Sequence, residues 1–222
     1  MRSMLPQFIA VMSVAPLALA IACGNAGATV VLPDPKENVA LSAAPARDTA
    51  VFAGGCFWGI QAVFQHVKGV ISATSGYAGG TAANPSYEQV SEGDTGYAES
   101  VEVVYDPSVV TYGDLLKVFF SVAHDPTELN RQGPDWGTQY RSAIFYMSAT
   151  QEKLAKSYIA QLTQAKAFPK PIVTEVSPLK KFWPAESYHQ DYLNKHPTQP
   201  YIVINDIPKV EALRVQYPGL YK

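Results

Sequence analysis

The chain has 222 residues, of which 47% are hydrophobic and 16% charged, with 17 Lys and Arg against 19 Asp and Glu. That composition excludes a disordered or collagen-like polymer, and the near-balance of charge excludes a nucleic-acid binder that works through net basic charge. The 15 Gly and 17 Pro are spread along the chain with no low-complexity tract or long-period repeat, so one globular domain is expected.

The first feature in chain order is an export signal over residues 1–22. After Arg2 no charged residue occurs before Asp34, and residues 8–22 are almost wholly apolar. The apolar run is too short for a membrane-spanning helix, and Pro16 interrupts it. Leu19-Ala20-Ile21-Ala22-Cys23-Gly24 resembles the lipobox of bacterial lipoproteins, which would make Cys23 an acylated N-terminus. Ordinary signal-peptidase cleavage after Ala22 or after Ala28 fits equally well. Either route takes the protein out of the cytoplasm, to the periplasm or to a lipid anchor on the bacterial envelope. Residues 23–49 carry Pro33, Pro35 and Pro45 among many small residues and show no sustained period, which predicts a flexible tether. Residues 50–222 then form the domain. It is nearly neutral and holds one thiol, Cys56, so its stability must come from a core rather than from disulfides.

Within the domain, residues 50–54 predict a strand that ends in Gly54-Gly55. Ile60, Val63, Phe64 and Val67 then recur at helical spacing, with Gly69 as the stop. A second strand is expected over residues 70–77, followed by a long loop over 81–96 with one helical turn around Tyr87. Strict alternation over residues 97–105 puts Tyr97, Glu99, Val101, Val103 and Tyr105 on one buried face of a strand and Ala98, Ser100, Glu102 and Val104 on the other. Thr111 with Asp114 reads as a capping box opening a helix, and residues 125–139 form a second long loop. Residues 140–146 predict a strand, Ser148 with Gln151 the cap of a helix to about Ala165, and residues 171–176 a further strand. Residues 188–196 are expected to be helical, 201–204 a short strand, and Pro208 opens a last helix. The order strand, helix, strand, strand, helix, strand predicts an α+β fold, a ferredoxin-like two-layer α/β sandwich with C-terminal additions.

Two residues stand out chemically. Cys56 lies between a Gly-Gly turn and the first turn of a helix, where free backbone N–H groups and the helix dipole favour a thiolate, with the big apolar Phe57 and Trp58 at the mouth of the turn. A small buried hydrophobe is the other reading of a free cysteine. Glu99 falls on the apolar face of its strand, which predicts a desolvated carboxyl with a raised pKa, suited to general-acid work. The four histidines lack metal-ligand spacing, and no phosphate-binding glycine loop occurs. A cysteine hydrolase or acyltransferase pairing Cys56 with His124 or His189 remains open at this level.

Gly55-Cys56-Phe57-Trp58-Gly59 resembles the signature of the methionine sulfoxide reductase A family, the peptide-methionine (S)-S-oxide reductases. Further stretches resemble the same family: Gly76-Tyr77-Ala78-Gly79-Gly80, Asn84-Pro85-Ser86-Tyr87, Gly93-Asp94-Thr95-Gly96-Tyr97-Ala98-Glu99, His124-Asp125-Pro126, Gly137-Thr138-Gln139-Tyr140-Arg141-Ser142 and Tyr188-His189-Gln190. The resemblance implies Cys56 as nucleophile, Glu99 as acid, Tyr87 and Tyr140 as ligands of the sulfoxide oxygen, Asp135 as an assisting carboxylate, and Phe57 and Trp58 as the wall around the substrate methyl group. It also implies reduction of the S epimer, free or in oxidised proteins, by a monomer with no metal or organic cofactor, with electrons from a thioredoxin-like donor. The chain departs from many relatives in having Ser91 in one region where they carry a resolving cysteine and no cysteine after Cys56.

Overall fold

The computed structural model describes residues 31–222, so the expected export signal and Cys23 lie outside the described residues. Residues 31–47 precede the first strand, β1 (Asp48–Gly54). The chain continues through α1 (Phe57–Gln65), β2 (Val70–Ala78), α2 (Tyr87–Ser91), β3 (Ala98–Tyr105) and α3 (Tyr112–Val118). A π-helical turn, Phe119–Ala123, extends α3. Then come the two-residue strands β4 (Arg131–Gln132) and β5 (Asp135–Trp136), a 3-10 turn at Thr138–Tyr140, β6 (Ser142–Tyr146), α4 (Ala149–Gln164), β7 (Glu175–Pro178) and β8 (Phe182–Pro184). The chain ends with a 3-10 turn at Ser187–His189, α5 (Tyr192–Lys195), a π-helical turn at Ile202–Asp206 and α6 (Ile207–Gln216).

The result is an α+β fold. One six-stranded sheet runs in the order β7-β6-β1-β3-β2-β8, antiparallel at every pairing except β6 with β7; β4 and β5 form a separate ribbon. The alternation along β3 explains its two faces. Val101, Val103 and Tyr105 join the main core with Phe52, Ile60, Phe64 and Phe119, whereas Ala98 joins a smaller cluster with Val51, Ala53, Ala78, Ala143 and Phe145. Leu179 and Phe182 lie over that second face, so Ala98 and Ser100 are buried rather than solvated. The helix starts follow their sequence signals: Thr111 and Asp114 complete a capping box on α3, as do Ser86 and Gln89 on α2, and Ser148 accepts from the Gln151 N–H at the start of α4.

Three expectations are corrected. Residues 31–47 are not a free tether. Leu32 is 2% exposed within the main core, Tyr158 donates its hydroxyl to the Pro33 carbonyl, and Asn38 accepts the Gly113 N–H and donates to Thr111 at the start of α3. Proline-rich chain without its own period can still be fixed when a neighbouring surface satisfies its backbone. Residues 201–204 form no strand; they enter the π-helical turn that runs directly into α6. The helix expected over 188–196 is broken at Asp191, which adopts φ 56°, and β8 supplies an edge strand that the sequence reading missed.

Candidate active site

Cys56 caps α1, with a non-helical backbone (φ −53°, ψ 124°) and no side-chain capping bond. Gly55 before it has φ 97°, and a β-carbon there would lie 2.5 Å from Gln132 Cγ, so this turn requires glycine. The glycines around Cys56 are thus approached by protein side chains: Gln132 against Gly55, His124 against Gly54 and Asp206 against Gly59.

Glu99 is 2% exposed on β3, as its place on the apolar face of the strand predicts. Its Oε2 accepts the Phe57 backbone N–H at 3.0 Å. Burial raises this carboxyl from its ordinary value to about 8, with the Asp135 and Asp206 carboxyls adding to the effect and the Phe57 N–H opposing it. The neutral acid therefore predominates at pH 7. The expectation of a resting thiolate at Cys56 is corrected by the same geometry. Burial, then the charges of Glu99 and Asp206, push the thiol well above its ordinary value; the Trp58 backbone N–H and the Lys209 ammonium pull the other way without offsetting this. The first N–H of the helix, which could have favoured an anion, is spent on Glu99.

Tyr87 opens α2, and its backbone N–H donates to Glu186 Oε1 at 2.9 Å. Tyr140 ends the 3-10 turn, half-buried. Burial raises both phenols, and both feel the charges of Glu99 and Cys56, so they are neutral hydrogen-bond donors. The loops that carry them are lashed together: Thr138 Oγ1 donates to the Gly93 carbonyl, Gln139 Nε2 to the Ser91 carbonyl and Arg141 to the Gly96 carbonyl. Asp135, on β5, accepts the Tyr201 hydroxyl, and burial raises its carboxyl too.

The two aromatics after Cys56 diverge. Phe57 is completely buried in the main core, which corrects the expectation that it stands at the mouth of the turn. Trp58 is only partly buried and stacks face to face on Tyr192, with centroids 3.7 Å apart. A cluster of aromatic rings, Trp58 with Tyr192 and Tyr201 and His189 with Phe57 and Tyr87, thus adjoins a buried thiol, a neutral carboxyl and two phenols.

The sequence profile described as peptide methionine sulfoxide reductase matches residues 48–219, nearly the whole folded domain. The chain belongs to that family. It is 62% identical over 179 residues to peptide methionine sulfoxide reductase MsrA 2 of Mesorhizobium japonicum, covering 81% of this chain and 92% of the relative. Over 211 residues it is 50% identical to MsrA 2 of Synechocystis, covering 93% and 99%. Among solved structures, reduced Mxr1 from Saccharomyces cerevisiae matches with TM-score 0.62 and 36% identity, over 74% of this chain and 92% of that one. Methionine sulfoxide reductase A of Corynebacterium diphtheriae matches with TM-score 0.60 and 37% identity, over 78% and 87%. The protein is an enzyme that reduces methionine sulfoxide.

In this reductase neither candidate histidine is arranged as a base for Cys56. His124 spends Nδ1 on the Phe119 carbonyl and Nε2 on Ser142 Oγ, stacks on Phe119, and is lowered by burial to about 4. His189 accepts the Trp58 indole N–H on Nδ1 at 3.2 Å, which assigns the proton to Nε2, and its ring packs against Phe57 and Tyr87. The hydrolase dyad is therefore not formed. The structure also adds residues that sequence reasoning missed. Glu186 fixes Tyr87 while accepting the Tyr77 hydroxyl, Tyr192 backs Trp58, Tyr201 holds Asp135, and Asp206 with Lys209 sits beneath Gly59. Only the motif Tyr188-His189-Gln190 signalled that the C-terminal region would reach the site.

Proposed function

We propose that the reductase works through Cys56 as nucleophile, Glu99 as general acid, and Tyr87 and Tyr140 as donors to the sulfoxide oxygen, with Asp135 assisting and Trp58, backed by the buried Phe57, forming the apolar wall for the substrate methyl group. One observation carries the reading: the Glu99 carboxyl, held neutral by burial, is joined by one hydrogen bond to the helix turn that bears Cys56. A sulfoxide oxygen is a poor leaving group unless it is protonated and held, and a neutral acid beside two phenols supplies both. The Cys56 sulfur attacks the substrate sulfur, and the oxygen, taking the thiol proton and the Glu99 proton, leaves as water. That water attacks the Cys56 sulfur, breaks the sulfur–sulfur bond and returns a proton to Glu99, so methionine leaves and Cys56 is left as a sulfenic acid. Cysteine sulfur is oxidised by two electrons and substrate sulfur is reduced by two, so no net proton is consumed.

The central order β6-β1-β3-β2, all antiparallel, supports a ferredoxin-like core with β7, β8 and the C-terminal helices as additions. The apolar run of residues 8–22 supports export to the periplasm or a lipid anchor at Cys23. With Cys56 the one cysteine of the domain, a thioredoxin-like dithiol would regenerate it, and the reductase, a monomer, would act on the S epimer, free or in oxidised proteins. The test is Cys56→Ser, assayed by methionine released from peptide methionine sulfoxide with dithiothreitol. Loss of at least 10³-fold with an unchanged thermal melt is expected, because a serine hydroxyl supplies almost no anionic nucleophile at neutral pH. Activity within about tenfold of wild type would sink the assignment.

A further inference from the structure

The catalytic turn has a charged pair behind it that the mechanism above does not use. Asp206 is completely buried at the end of the π-helical turn that leads into α6, and its Oδ1 accepts from Lys209 Nζ at 3.4 Å across one turn. Its other oxygen, Oδ2, is buried without a hydrogen-bond partner. The pair lies against Gly59: a β-carbon there would be 2.2 Å from Asp206 Oδ1 and 2.9 Å from Lys209 Nζ. Gly59 follows Cys56 by three residues, so the ammonium and the carboxyl sit one helical turn from the nucleophile, on the face of α1 that α6 covers.

A buried ion pair with an unpaired oxygen is a poor staple. Two apolar side chains of the same volume would join α6 to α1 with no desolvation cost. We propose that Lys209, held inward by Asp206 beneath Gly59, is a positioning residue that supplies the positive charge against which Cys56 becomes an anion during attack. The inference rests on Cys56 being the nucleophile.

The groups around the sulfur are otherwise neutral or negative. Glu99 comes from β3, Tyr87 from α2, Tyr140 from the 3-10 turn and Tyr201 from the segment before α6; Asp206 itself disfavours the anion, Asp135 on β5 acts on Glu99, and His189 packs on the neighbouring Phe57. Lys209 acts in the opposite sense on Cys56, Asp135 and Asp206 alike. Its side chain is 19% exposed, so without Asp206 it would extend into water and its charge would be screened.

The test measures the pH dependence of Cys56 alkylation by iodoacetamide in the intact protein, alongside kcat and KM with peptide methionine sulfoxide. Lys209→Met is expected to move the alkylation midpoint up by about one pH unit and to lower both alkylation at pH 7 and kcat about tenfold with KM unchanged. Lys209→Arg should stay within about threefold of wild type, since the charge is kept. Arg214→Met, which removes a surface pair on the same helix, should change neither. Lys209→Gln, which still donates to Asp206, serves as the second variant where Lys209→Met does not fold, with the same expected shift. An unmoved midpoint in either folded variant overturns the proposal. Because alkylation is read without substrate, it tests Lys209 even where Cys56→Ser retains activity and the nucleophile assignment itself fails.

Discussion

The Phe57 backbone N–H donates to Glu99 Oε2 at 3.0 Å, across 42 residues of sequence. This bond places a carboxyl from the middle of the sheet against the first turn of the helix that Cys56 caps. It leaves that carboxyl one charge-favouring contact in an environment that otherwise disfavours charge.

The first prediction concerns activity against pH. Glu99 acts while protonated, so the rate of the reductive step should fall as pH rises through about 8. Glu99→Gln should lower the rate by roughly 10² to 10⁴ and remove that alkaline limb. Single-turnover rates from pH 5 to 10 check this. A limb that persists in the variant belongs to another group.

The same substitution should stabilise the fold at alkaline pH. In the unfolded chain Glu99 loses its proton near the ordinary value of 4.5, and in the folded protein near about 8. The folded state therefore holds its proton longer. The contribution of the neutral carboxyl is complete below about 4.5 and is lost as pH rises to about 8. Glu99→Gln keeps an acceptor for the Phe57 N–H and has nothing to ionise, so at pH 9 it should gain on the order of 3 kcal/mol relative to wild type. Urea unfolding at pH 5 and pH 9 measures the difference, and a gap that does not widen with pH contradicts it.

Turnover without external thiol should stop at one equivalent. Ser91 donates to the Tyr87 carbonyl, and Cys56 is the one cysteine among the described residues. After a single turnover, protein beginning at Val31 should gain one oxygen and yield a dimedone adduct. Residues 31–47 dock on the domain, and Cys23 stands nine residues before Leu32, a span of about 30 Å at full extension. Loss of two hydrogens only in protein that retains Cys23 would identify it as a resolving thiol and refute the one-cysteine cycle.

The docked N-terminal segment should contribute stability without contributing to chemistry. Leu32 lies in the main core, so Leu32→Ala should cost about 2 to 4 kcal/mol. Asn38→Ala should cost about 1 kcal/mol through the lost contact at the start of α3. Both should leave kcat unchanged on folded protein. A free tether would show no loss of stability in either variant.

Patterns whose physics is local were legible in the sequence. The alternation of residues 97–105 fixed which face of β3 holds Glu99, and capping signals at Thr111 and Ser148 marked where helices begin, because each depends on residues two to four positions apart. The cysteine after a Gly-Gly turn and the surrounding motifs were enough to name the chemistry. Tertiary structure decided the rest, since those effects depend on partners far along the chain. The proton on Cys56 is governed by burial and by Glu99 and Asp206, against the local expectation of a helix-stabilised thiolate. The proline-rich segment of residues 31–47 is ordered because α3, α4 and the core accept its backbone and Leu32. Residues 201–206 coil rather than extend, because Ile202 and Asp206 pack beneath α1, and that packing brings Lys209 to the nucleophile's helix. Periodicity reports which face of an element is apolar; which distant charge shares that face depends on how the elements are assembled.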